Sequence, residues 1–137
     1  MRLAALSLLC LGLIGASPAT QTQIGLRCAG NESLRVGVRA ARRVAYRQTL
    51  SLDLLAGRYC YAQCLAAQTF PIARVNGSSV ILADVREPEQ QRNMRIDLAA
   101  MRLEDDQSLV LGALPPVERH ARVSCVAAPF HEPPALH

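Results

Sequence analysis

Between Leu34 and Leu54 the chain alternates with a period of two. Even positions read Leu, Val, Val, Ala, Arg, Val, Tyr, Gln, Leu, Leu, Leu, and every odd position is polar or small. Successive side chains of a strand point to opposite faces, so this pattern specifies strands with one buried and one wet face. The run is longer than an ordinary strand. A break is therefore expected near Ala40 to Arg42, giving strands over 34–40 and 43–54. Turn residues punctuate the rest of the chain. Gly57 permits a bend before Tyr59-Cys60, and Asn76-Gly77 is a hairpin signal between apolar runs at 71–75 and 79–85. Residues 86–93, with Pro88, read as a charged loop. Further strands are expected over 94–98, 107–114 and 117–126, although Met94, Leu98 and Met101 also fit helical spacing. The tail, 129–137, holds three prolines and reads as an extended surface segment. No internal repeat is present. The pattern predicts an all-β fold, a small antiparallel barrel or sandwich of about six to seven strands.

Ahead of this domain lies an export signal. Arg2 precedes an apolar run from Leu3 to Ile14, and Ser17-Pro18-Ala19 offers small residues three and one positions before a cut ahead of Thr20. The run is too short to span a bilayer, which takes about 20 apolar residues. Cys10 sits inside the apolar run behind Leu9, so it is not a lipoprotein cysteine. The expected organisation is a signal peptide at 1–19 and one exported domain at 20–137, periplasmic or secreted after cleavage.

Export changes the meaning of the cysteines. Cys28, Cys60, Cys64 and Cys125 remain after cleavage, an even number in an oxidising compartment, and read as two disulfides. Three pairings are possible. Residues 60 and 64 would lie about 13 Å apart on a strand, beyond disulfide reach, so pairing them requires Tyr61-Ala62-Gln63 to turn back. Cys28 with Cys125 would then tie the two ends of the domain together. The rival reading makes Cys60 and Cys64 a thiol–disulfide oxidoreductase pair. Redox motifs normally have two intervening residues, however, and here there are three. Zinc would require further Cys or His at finger-like spacing.

Composition excludes other classes. The chain has 15 arginines, no lysine and 11 acids, a net charge of +4 that falls by one when Arg2 is removed. With no Trp and few other aromatics, it lacks the stacking surface that nucleic-acid binding uses, so no nucleic-acid partner is expected. The charge is concentrated in one place. Arg35, Arg39, Arg43 and Arg47 share one parity, Arg42 stands beside them, and no acid occurs between Ser33 and Leu52. On strands they would form a guanidinium row able to meet phosphates or carboxylates, or simply a charged face that discourages aggregation.

Catalytic constellations are weak. His131-Glu132 and His137 stand six apart across Pro133-Pro134, where a zinc-protease helix needs histidines four apart. Asp84 with Glu87, or Asp105 with Asp106, are carboxylate neighbours of the kind acidic loops commonly carry. No motif implies a metal or a cofactor.

Short segments across most of the exported domain resemble a family of small exported proteins of Gram-negative bacteria. They are Cys28-Ala29-Gly30, the centre Gly57-Arg58-Tyr59-Cys60 with Cys64, and the close from Cys125 to Ala128-Pro129-Phe130. The chain departs from that family at Ser124, where glycine is usual, and at Leu98 and Ala100-Met101, where an Arg and a Thr-Gly turn are usual. The resemblance implies export, a β-rich fold and the cysteine framework, and it brings no activity. The expectation is a monomeric, non-enzymatic binding or structural domain. Its partner would be a protein or an anionic component of the cell envelope.

Overall fold

The computed structural model describes residues 21–137, so the signal peptide expected over 1–19 lies outside the described residues. Nine antiparallel strands form one sheet among them: β1 (Gln23–Val36), β2 (Arg42–Asp53), β3 (Arg58–Tyr61), β4 (Thr69–Pro71), β5 (Arg74–Asn76), β6 (Ser79–Arg86), β7 (Gln90–Asp97), β8 (Arg102–Leu109) and β9 (Val117–Ala127). The spatial order is β4-β3-β2-β1-β9-β8-β7-β6-β5. The two edge strands are consecutive in the chain, separated only by Ile72-Ala73. The Ile72 N–H donates to Gly57 O at 2.9 Å, and the Ala73 N–H donates to Ile81 O at 3.0 Å. One short passage thus touches both edges, and the sheet curls into a half-barrel.

The alternation decides which face curls inward. Tyr46, Leu50 and Leu52 of β2 join Leu26 and Cys28 of β1, Tyr59 of β3, and Val80 and Leu82 of β6. Met94, Ile96, Leu103, Ala121, Val123 and Cys125 complete the core. Each large aliphatic side chain so buried contributes about 1.5–3 kcal/mol. Cys28 and Cys125 are direct register partners on β1 and β9 and form a disulfide within this face. In β6 an extra residue sits between the pairs Ile81↔Arg95 and Ala83↔Met94, a bulge that exchanges inward and outward parity along the strand.

The strand boundaries depart from expectation in instructive ways. The break in the alternating run spans residues 37–41 and so begins earlier than expected. Gly37 adopts a φ of +58°, which an L side chain resists, and this starts the turn. What looked like a first strand over 34–40 is the end of a longer β1 that starts at Gln23. The hairpin near Asn76-Gly77 forms one residue later. Asn76 pairs with Ser79, leaving Gly77-Ser78 as the turn, with Gly77 at φ +59°. Positive φ at the first central residue alone is the type II′ pattern. The charged segment 86–93 is mostly strand: only residues 87–89 turn between β6 and β7. The stretch from Met94 is strand and carries no helix.

Part of the outer face is sealed by the tail. The His131 N–H donates to Ser51 Oγ at 2.9 Å, the Ala128 N–H donates to Gly25 O at 2.9 Å, and Pro133 is fully buried. A Cβ on Gly25 would lie 2.3 Å from Ala128 O, so the tail can cross β1 only because that side chain is absent. The tail is the surface segment expected, mostly exposed, and it is anchored to the sheet at these points. It also explains why Ser51, of outward parity, is buried.

Candidate functional site

One end of the half-barrel interior is polar. Asp105 of β8 points inward with its side chain 0% exposed. Arg92 of β7 grips it bidentately, Nε to Oδ1 at 3.0 Å and Nη2 to Oδ2 at 2.9 Å. Tyr46 Oη and Gln107 Nε2 both donate to Oδ2 at 3.0 Å. Nearby, Glu32 accepts from Arg119 at 2.6–3.2 Å. Burial, followed by the charge of Asp105 and the hydrogen bond to it, pushes the Tyr46 phenol far above its ordinary value. Tyr59 is shifted the same way, chiefly by burial. For Arg92, burial acts to lower the pKa, but the hydrogen bond to Asp105, the tyrosines and the Asp105 charge together raise it above the usual arginine range. Both oxygens of Asp105 are occupied by donors. A carboxylate held this way fixes strands β2, β7 and β8 to one another.

Asp105 and Asp106 do not form a carboxylate pair. Neighbours on a strand face opposite ways, and Asp106 is on the outer face, where it meets His120 Nδ1 at 2.9 Å and Arg122 Nη1 at 2.8 Å. The hydrogen bond from Arg122 leads in holding its carboxyl below the usual range against the opposing effect of burial, and the hydrogen bond to His120 adds to it. Asp106 and His120 border an open depression of about 590 Å³ along β6 to β9, with Asp84, Asn93, Ser108 and Glu118. Asp84 is bound by Arg86 at 2.9 Å.

The arginines of the β1–β2 hairpin are divided. Arg35 pairs with Glu118 across the β1–β9 register, an acid remote in sequence. Arg39 lies in the turn. Arg42 has the inward parity, at the rim, beside a small hollow with Leu34, Val36 and Arg39. Arg43 and Arg47 are exposed on the outer face of β2, two residues either side of the exposed Ala45. Among the described residues, Arg39, Arg42, Arg43 and Arg47 have no carboxylate within ion-pair distance, nor does Arg27 on the same outer face. Sequence reasoning found these arginines. It missed the Asp105 cluster, whose members lie on three strands and whose only local signal is a polar residue at an inward parity position.

Cys60 and Cys64 are bonded to each other. Cys60 is fully buried, with its sulfur near Ser51 O and His131 O under the tail. Ala62 and Cys64 adopt left-handed φ values of +47° and +57°, which turn the chain back within the short loop. Among the described residues no group of three or more His, Cys, Asp or Glu is placed to hold a metal, and His131 engages the sheet through its backbone. No helix among them is long and apolar enough to cross a membrane. Set against family models, curated proteins and solved structures, the chain matches none.

Proposed function

We propose that the protein is a non-enzymatic domain, exported to the periplasm or secreted, that binds a protein or an anionic component of the cell envelope through the outer face of β1 and β2. The observation supporting this reading is the uneven distribution of paired charge. Of the six arginines on β6 to β9, five (Arg86, Arg92, Arg95, Arg119 and Arg122) are matched to a carboxylate, and the exposed Arg102 is the exception. The β1–β2 hairpin instead exposes Arg39, Arg43 and Arg47 without one. Exposed guanidiniums with open donor forks suit carboxylate or phosphate recognition. The signal-like N-terminus and the resemblance to exported Gram-negative proteins support the location.

The test is retention of envelope components by immobilised residues 20–137, compared with the variant Arg39→Gln/Arg43→Gln/Arg47→Gln. Wild type should retain anionic species in a salt-sensitive way, because exposed charges are screened beyond about 8 Å at physiological ionic strength. The variant should lose most of that retention at an unchanged thermal midpoint. Equal recovery by both proteins would reject the reading.

A further inference from the structure

β3 ends after Tyr61, level with Leu50 of β2, because the Cys60–Cys64 loop turns the chain away there. β2 runs on for eight more residues, up to Arg42, with β1 on one side only. Backbone groups of alternate strand residues point to opposite neighbours. Thr49 O accepts the Ala62 N–H on the β3 side, whereas the Leu54 N–H donates to Thr22 O on the β1 side. The odd residues of β2 therefore direct their N–H and C=O away from β1. Those of Arg43, Ala45 and Arg47 have no partner among the described residues, and all three residues are exposed.

We infer that this free edge of β2 takes up an extended acidic peptide segment as an added antiparallel strand, an inference that rests on the binding reading above. Main-chain bonds to the three open residues would supply affinity, and alternate side chains would supply selectivity. On the outer face, residues of the added strand opposite Arg47 and Arg43 stand four apart and should carry carboxylates. On the inner face, residues beside Tyr46 and Val44 should be apolar. The same register argues against a second copy of this chain. Two β2 edges meeting antiparallel about Ala45 would set Arg43 of each against Arg47 of the other, and like charges directly opposite destabilise a ladder. The arginines thus block self-association at an otherwise open edge while leaving it open to an acidic strand.

The probe is a synthetic nine-residue peptide, capped at both ends, of alternating threonine and valine with glutamate at its third and seventh positions. Residues 20–137 should bind it, and should bind a version with lysine in place of both glutamates at least about tenfold more weakly. Methylating the backbone nitrogen of its fifth residue, which faces Ala45, removes a ladder donor and should abolish binding. Methylating the fourth, which faces away, should be tolerated. Ala45→Pro removes the matching N–H of the protein without touching the β1 ladder, and should weaken binding by about tenfold or more. The methylated peptides test the edge even if that variant fails to fold. No binding of the glutamate peptide, or binding indifferent to methylation at the fifth residue, overturns the inference. So does equal binding of wild type and Ala45→Pro to phosphatidylglycerol vesicles with none to the peptide; that result leaves the anion-binding reading standing. Equal envelope retention by wild type and the triple glutamine variant removes both.

Discussion

Asp105→Asn should be among the most damaging conservative changes in this protein. The substitution keeps the shape of the side chain and removes its charge. Four donated hydrogen bonds converge on the carboxylate, two from Arg92 and one each from Tyr46 and Gln107. An asparagine would replace one acceptor oxygen with an NH2 group facing donors, and Arg92 would be left with a charge and no counterion. Breaking a buried pair by removing one partner costs about 3–5 kcal/mol. The Arg92 side chain keeps 21% of its exposure, so water recovers part of the loss, leaving a cost of about 2–4 kcal/mol. For a domain of this size each kcal/mol moves the thermal midpoint by about 3–5 °C, giving a drop of about 6–20 °C. Thermal unfolding followed by far-ultraviolet circular dichroism measures it. Arg92→Met with Asp105→Leu removes both charges together and should recover most of the loss, since apolar replacement of a whole buried pair is often neutral. Tyr46→Phe should cost only about 1 kcal/mol. A drop below about 2 °C for Asp105→Asn, or a double variant no better than the single, would refute the assignment of this cluster as the polar clamp of the half-barrel.

The same geometry sets three further outcomes. Replacing Cys28 and Cys125 with alanine should cost about 4–5 kcal/mol and replacing Cys60 and Cys64 about 2, because the closed loops differ so much in length; urea titration under oxidising conditions should show that order. Gly25→Ala should displace the tail while leaving the sheet intact, seen as faster proteolytic removal of residues 128–137 with an unchanged β-type spectrum, since the added Cβ meets backbone oxygens that cannot give way. Stability should fall above about pH 10. Tyr46 and Tyr59 stay protonated in the fold at a pH where the unfolded phenols, with an ordinary value of 10.0, ionise, so the unfolded state is favoured as pH rises. Urea midpoints measured on either side of that pH check this, and Tyr46→Phe should flatten the slope.

Legible in the sequence was whatever is carried by near neighbours. The period-two run is enough to place Tyr46, Leu50 and Leu52 on the inward face, because alternation is a property of one strand. The Gly77 hairpin is legible for the same reason but displaced by one residue, since both Asn-Gly and Gly-Ser satisfy a two-residue turn and only the register chooses. Residues 23–33 carry no comparable signal: Gly25, Arg27, Ala29, Gly30 and Asn31 dilute the alternation, yet they form most of β1. Gly25 is there to admit the tail, and the small Gly30 lies against Val123. Both demands come from the far end of the chain. Asp105 was hidden in the same way. Next to Asp106 it reads as half of an acidic dipeptide, and only pairing β8 with β7 and curling β2 over both shows that one acid is a buried anchor and the other a surface charge.

The cysteines connect these two levels. Spacing alone required Tyr61-Ala62-Gln63 to turn back if Cys60 and Cys64 were joined. In the structure that turn also ends β3 and leaves the upper half of β2 without a neighbour on one side. A bare edge of that length would be an aggregation hazard. Its outward positions carry Arg43 and Arg47, and Glu118, on β9 beyond β1, is engaged with Arg35. If the arginines served only as protection, any charge of either sign would suffice, and Arg43→Glu with Arg47→Glu should leave every binding property unchanged. If they read an acidic strand, the same reversal should switch preference to the lysine form of the peptide while the thermal midpoint stays within a few degrees, since neither arginine has an ion pair to lose. Measuring both peptides against the reversed protein therefore separates guarding an edge from using it. Loss of all peptide binding in that variant would reject charge recognition at this strand.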